Sequence, residues 1–157
     1  MRFSFHPIAS AKILVSLLIL IPLPFSTTAS AIRQDSSAPP SLNKMRSLAE
    51  SQHEIIMILL QKKEFLQAEA EAAKIFEMNW PSNQEPILVK ELLHIAGQFL
   101  HRDQPAIAVR LLDDSMKNFK APISRAAIWK EKGYLFKSMN QNDKALECFR
   151  EAHRLEK

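Results

Sequence analysis

The chain is poor in glycine and in the short motifs of catalysis, and each shortage excludes a class of function. Only two of its 157 residues are glycine, so no glycine-rich phosphate-binding loop can be formed. Neither His-Glu-x-x-His nor Cys-x-x-Cys occurs, and no nucleophile with a base and an orienting residue can be assembled from local signatures. The sequence therefore predicts a protein that is not an enzyme and that carries no cofactor and no metal.

Cysteine and net charge are also scarce. The single cysteine, Cys148, excludes an internal disulfide. The first 31 residues contain two basic residues and no acid, so the remainder carries 19 basic and 17 acidic residues, a net charge of +2. Interleaved charges with so small a net value predict no nucleic-acid partner.

The first 31 residues have the pattern of a secretory signal peptide. Arg2 and Lys12 lie in a segment without acids, an apolar run follows at Ile13–Phe25, and residues 29–31 read Ala-Ser-Ala, a typical cleavage site. The apolar run is shorter than the roughly 20 residues that a membrane-spanning helix needs. We therefore predict an exported protein, periplasmic or secreted, with no stable membrane span after cleavage. An uncleaved membrane anchor is the alternative.

The rest of the chain predicts a leader followed by helices. Residues 32–44 are rich in Ser and Pro, which is typical of a flexible segment. Apolar residues then recur at spacings of three and four over residues 45–157, as on a buried helix face. A capping box is expected at Ser82–Glu85, with Pro86 early in the helix that follows. The predicted helices lie near residues 45–62, 65–79, 84–101, 104–119, 124–139 and 142–156, which makes three pairs.

The last helix pair carries small and aromatic residues at regular distances. They are Trp129, Gly133 and Phe136 on the first helix and Ala145, Phe149 and Ala152 on the second. Gly133 and Ala145 are small where two antiparallel helices approach closely, and the aromatic side chains fill the space around that contact. The pattern Trp-x2-Lys-Gly-x2-Phe followed by Ala-x3-Phe resembles the signature of the tetratricopeptide repeat (TPR) family.

The resemblance extends over nearly all of residues 45–157. Weaker copies of the pattern place the starts of three repeats near Ala49, Val89 and Ala126, at offsets of 40 and 37 residues. Two departures are Lys132, which stands where the family has Leu, and the missing Pro at the end of the last repeat. The resemblance implies an all-α stack of antiparallel helix pairs, about six helices in total. A generic bundle of six helices is the alternative.

The resemblance also implies a polypeptide ligand that lies along a concave groove formed by the first helix of each pair. Carried over position by position, the groove residues are His53, Glu54, Met57, Gln61, Lys90, His94, Gly97, His101, Lys130, Glu131, Tyr134 and Lys137. This mixed and mildly basic set suits an acidic or extended peptide, with Tyr134 as its anchor. The paired Asn and Lys or Arg with which some family members hold a terminal carboxylate are absent.

Binding of a protein or peptide partner, as an adaptor or assembly factor, is thus the first function that the sequence predicts. Self-association is an alternative, because Leu135, Met139 and Cys148 would leave an apolar edge at the last helix pair. A site for a small ligand or a metal built from His53 and His94, together with a third histidine at position 101, is a less favoured alternative.

Overall fold

A computed structural model describes residues 40–157, so the predicted signal peptide and most of the predicted leader lie outside the described residues. The described part is an all-α fold of six helices, as predicted, and contains no strand. The helices are α1 (Leu42–Gln61), α2 (Phe65–Glu77), α3 (Glu85–Leu100), α4 (Pro105–Met116), α5 (Pro122–Ser138) and α6 (Asn142–Leu155). No helix between residues 40 and 157 combines the length and the hydropathy that crossing a membrane requires.

The first helix begins earlier than its sequence pattern indicates. It starts at Leu42 rather than at residue 45, so the last three residues of the predicted leader are helical. Ser41 is the N-cap, and its hydroxyl accepts a hydrogen bond from the backbone N–H of Lys44 at 3.4 Å. This bond satisfies one of the N–H groups that the first turn of a helix leaves without a partner.

The capping box predicted ahead of α3 is wrong. Ser82–Gln84 forms a single turn of 3-10 helix, and no side chain caps the start of α3. The side-chain oxygen of Gln84 instead accepts a hydrogen bond from the guanidinium of Arg46 on α1, at 2.8 Å. The carboxylate of Glu85 accepts from the backbone N–H of Ala121, the N-cap of α5, at 2.8 Å. Both polar side chains therefore join helices that are distant in sequence.

The three helix pairs share one turn geometry. Lys63, Asp103 and Asn140 follow the first helix of each pair and have positive φ values of 62°, 58° and 59°. In each turn the next N–H bonds back to a carbonyl five residues earlier, at 2.9 Å, as in a Schellman motif. These turn residues are separated by 40 and then 37 residues, the same offsets that the sequence repeats predict. The backbone thus has a helical repeat architecture.

Burial follows the same repeat. The positions equivalent to Gly133 and Ala145 are buried in every pair, although the first pair has the larger Ile56 in place of the glycine. They are Ile56, Ala96 and Gly133 on the first helices, and Ala68, Ala108 and Ala145 on the second. Each first helix packs on its own second helix, α2 packs on α4, and α3 packs on α5. One apolar core therefore runs through the stacked pairs, from Ile56 to Leu135.

The predicted close contact at Gly133 is confirmed. A Cβ atom added at Gly133 would lie 2.6 Å from Cε1 of Phe149 on α6, well inside van der Waals contact. The Phe149 ring also makes a T-shaped contact with the ring of Tyr134, with centroids 5.2 Å apart. The preference for glycine here is therefore steric, because its position in α5 has no positive φ.

Candidate functional site

A cleft opens between α1 and α3, because these two helices approach each other less closely than α3 and α5 do. Its volume is about 420 Å³. Five apolar side chains line it and are here called its floor: Ala49, Ile75, Trp80, Ile87 and Leu88. Six polar or charged side chains also line it and are here called its rim: Arg46, Glu50, His53, Glu54, Gln84 and Glu91. An apolar depression with a polar rim is the usual form of a binding site in a protein surface.

Two imidazoles and a carboxylate bridge the cleft at one end. Nδ1 of His53 on α1 lies 2.5 Å from Oε1 of Glu91 on α3. An ionised carboxylate can only accept, so this nitrogen carries the hydrogen of the bond. The His53 ring also stacks on the ring of His94, with centroids 5.7 Å apart and planes 24° from parallel. His53 is therefore oriented by two residues of the neighbouring helix pair.

Hydrogen bonds also fix the other end of the cleft. The indole N–H of Trp80 donates to the backbone carbonyl of Ile75 at 2.6 Å, which holds the ring over the end of α2. The hydrogen bond from Arg46 to Gln84 joins two rim residues, one on α1 and one just before α3. Because the indole N–H is the only donor of its side chain and is already used, Trp80 presents an apolar surface to the cleft.

The groove residues predicted on α1 and α3 divide between the cleft and open surface. His53 and Glu54 line the cleft, and His94 contacts it through the stacked ring. Met57 is half-buried against the core, and Gly97 is half-buried on α3 with no other atom within 4 Å of a Cβ at its position. Gln61, Lys90 and His101 are exposed on the surface.

The groove residues predicted on α5 lie outside this cleft. Lys130 Nζ pairs with Oε1 of Glu156, the C-cap of α6, at 2.5 Å. Tyr134 is exposed, and its ring contacts that of Phe149 on α6. Burial raises the pKa of the Glu131 carboxyl above its ordinary value, while Lys137 is exposed in the last turn. The structure therefore does not join the predicted Tyr134 anchor to the apolar floor between α1 and α3.

The three histidines proposed as a ligand set are not assembled into one. Over residues 40–157, no three His, Cys, Asp or Glu side chains are placed so that they could hold a metal ion. His53 and His94 stack on each other, and His101 is the C-cap of α3 beyond them.

The apolar edge predicted at the last helix pair is wrong in its main residues. Leu135 is fully buried and Cys148 is 3% exposed, so neither is available to a partner. Burial raises the pKa of the Cys148 thiol, which disfavours the reactive thiolate. A second depression of about 470 Å³ lies between α5 and α6, beside Trp129 and Phe136 of the repeat pattern. Both aromatic side chains are half-buried there.

Lys132 stands where the repeat signature has leucine, and its buried ammonium is paired. Its side chain is only 7% exposed, and its ammonium pairs with the carboxylate of Asp113 on α4. The same ammonium lies 4.0 Å from the centre of the Trp129 ring, within range of a cation–π contact. The departure from the pattern is therefore compensated by two neighbours.

Several cleft residues were not predicted from the sequence. Glu50 and Glu91 were missed because the groove positions were carried over from a repeat pattern, which does not specify how far α1 and α3 diverge. Trp80 was missed because it lies in the connection between two helix pairs. An aromatic residue in a polar connection, Asn79–Glu85, is the one sequence signal that could have indicated it.

Comparison of the chain with models of protein families, with curated proteins and with solved structures found no match.

Proposed function

We propose that the protein is an exported, non-catalytic module of the TPR type that binds a polypeptide, as an adaptor or assembly factor. The polypeptide lies along the first helices of the pairs and inserts an apolar side chain into the cleft between α1 and α3. The proposal assigns no reaction and no cofactor to the protein. It includes the signal peptide at residues 1–31, which the sequence predicts and which lies outside the described residues.

The cleft is the observation that carries this proposal. Its floor contains an exposed isoleucine, Ile87, 58% accessible, beside the indole of Trp80. Its rim carries the carboxylates of Glu50, Glu54 and Glu91 and the guanidinium of Arg46. A polypeptide satisfies both surfaces at once, because its backbone is polar and its side chains supply apolar anchors.

Selection from a random library of displayed 12-residue peptides tests the proposal. Enriched peptides are measured by fluorescence anisotropy against the wild type, Ile87→Ser and Ile123→Ser. Ile123 is a matched control because it is similarly exposed and does not line the cleft. Loss of one buried isoleucine contact weakens binding by about tenfold, so we expect that loss in Ile87→Ser alone. Equal affinities of the three proteins would contradict the proposed site.

Self-association is a second candidate, favoured by one different observation. Ile55 on α1 is 44% exposed, whereas its counterpart one repeat later, Ile95 on α3, is fully buried. Within the described residues, Leu48 and Ile58 on α1 and Leu66 on α2 are also exposed. A second copy of the chain packed there would bury these side chains.

Sedimentation equilibrium over a range of concentrations tests this candidate. We expect a concentration-dependent mass for the wild type and a monomer for Ile55→Lys, because a buried unpaired ammonium opposes association. Ile123→Lys serves as the control and keeps the wild-type behaviour. A wild type that stays monomeric at every concentration would contradict self-association.

A further inference from the structure

The rim of the cleft between α1 and α3 is acidic. Glu50, Glu54 and Glu91 supply three carboxylates against the single guanidinium of Arg46, a formal charge of −2 with neutral His53. This sign is opposite to that of the whole chain, whose formal net charge is +4. The local charge therefore cannot follow from composition and is a property of how α1 and α3 are placed.

Two of these carboxylates are available to a ligand. Arg46 is occupied by Gln84, and Glu91 by the imidazole of His53. Glu50 and Glu54 are exposed, and neither carboxylate makes a hydrogen bond or an ion pair with any residue in the described part of the chain. They lie one turn apart on α1, where two like charges repel each other. A cation bound between them would relieve that repulsion.

The charged rim and the apolar floor line the same cleft. A matching ligand therefore needs a positive charge and an apolar group close to each other. Ile87 and Trp80 offer apolar surface at the floor, and Glu50 and Glu54 stand on the α1 side of the same cleft. A polypeptide segment with a large apolar residue next to lysine or arginine has this combination. An anionic surface or an acidic peptide is repelled by the same rim.

We propose that the cleft selects basic polypeptide segments, in which an apolar side chain enters the floor while a neighbouring lysine or arginine pairs with Glu50 and Glu54. The inference rests on the proposed polypeptide-binding function and reverses the charge preference that the sequence predicts. The partner is thus a basic, partly apolar segment of another protein rather than an acidic tail. Exposed pairs of this kind are screened by salt, so binding weakens as ionic strength rises.

Three labelled 12-residue peptides test the inference with the full-length chain. All contain the same Leu-x-x-Phe centre, and their other positions carry lysine, glutamate or serine. We expect the lysine peptide to bind about tenfold more tightly than the serine peptide in 20 mM salt, from two to three exposed ion pairs. The glutamate peptide binds most weakly. The difference between the lysine and serine peptides shrinks in 500 mM salt.

Charge-neutral variants locate the effect. Glu50→Gln combined with Glu54→Gln is expected to weaken the lysine peptide about fivefold and to leave the serine peptide unchanged. The control removes two exposed carboxylates that do not line the cleft, by Asp114→Asn and Asp143→Asn, and keeps the wild-type preference. Circular dichroism verifies that each variant retains its helical content.

The outcomes separate the inference from the function on which it rests. A serine or glutamate peptide that binds as tightly as the lysine peptide, and loses affinity in Ile87→Ser, would overturn the charge preference but keep the polypeptide site. If both double variants lost the preference for the lysine peptide to the same extent, the preference would come from the overall charge of the protein. That result would also overturn the inference. Failure of all three peptides to bind the folded protein would overturn the inference and the proposed function together.

Discussion

Replacing the two glycines by alanine tests the packing of the helix pairs, because the two positions differ only in their surroundings. Alanine is favoured over glycine inside a helix by about 1 kcal/mol, and both Gly97 and Gly133 lie within helices. At Gly97 nothing lies within 4 Å of the added methyl group. Gly97→Ala should therefore raise the free energy of unfolding by about 1 kcal/mol.

At Gly133 the same methyl group meets the Phe149 ring. Three ring atoms lie 2.6, 2.8 and 2.9 Å from the Cβ position, so the ring or the helix must move. Overpacking of this kind costs about 1–3 kcal/mol, and a displaced ring loses its edge contact with Tyr134. Set against the helical gain, Gly133→Ala should be neutral to about 2 kcal/mol destabilising. It should therefore be about 1–3 kcal/mol less stable than Gly97→Ala.

Urea unfolding followed by circular dichroism at 222 nm measures this difference, with the slopes compared to verify that the denatured states match. In thermal unfolding it corresponds to about 4–12 °C between the two variants. Phe149→Leu completes a double-mutant cycle, because it removes the ring that the alanine methyl group would meet. It should cost less stability in the Gly133→Ala protein than in the wild type. If Gly133→Ala stabilised the protein as much as Gly97→Ala, the close approach of α5 and α6 at this point would be refuted.

Three further predictions concern the turn after α1 and two charged residues. Lys63→Gly should stabilise the fold by about 0.5–1 kcal/mol, because φ is +62° there; a loss of stability on urea unfolding would contradict it. Asp113→Ala should cost about 1–3 kcal/mol by isolating the buried Lys132 ammonium, whereas Lys132→Met should be nearly neutral; equal losses would argue against the pair. Burial raises the pKa of Glu131 above its ordinary 4.5, so its carboxylate lowers stability at pH 7 and this penalty disappears as the pH falls toward that value. Glu131→Gln should thus raise Tm at pH 7 but hardly at pH 4, and a gain independent of pH would contradict this.

The local pattern of the sequence predicts the helices and their repeat. Spacings of three and four indicate six helices, and the offsets of 40 and 37 residues reappear in the turns at Lys63, Asp103 and Asn140. These features are local, because hydrophobic periodicity and turn chemistry depend on residues near each other in the chain. The small size of Gly133 belongs with them, since its partner Phe149 lies in the adjacent helix of the same pair.

Helix ends were predicted less well where polar side chains form hydrogen bonds with residues that are distant in the sequence. The stretch before α3 has the composition of a capping box, but Gln84 binds Arg46 and Glu85 binds the start of α5. Those partners are 38 and 36 residues away, beyond the reach of any local pattern. The burial of Lys132 also depends on another helix, because its ammonium is stabilised by Asp113 on α4 as well as by the Trp129 ring.

The sequence by itself determined an all-α repeat of three helix pairs and the small residues at their contacts, because periodicity and side-chain size act between near neighbours in the chain. Only the tertiary structure decided where a ligand can bind. The cleft exists because α1 and α3 diverge, and its acidic rim exists because Glu50, Glu54 and Glu91 meet there from two helix pairs. The angle between stacked pairs depends on contacts spread over the whole core, and no single motif encodes it.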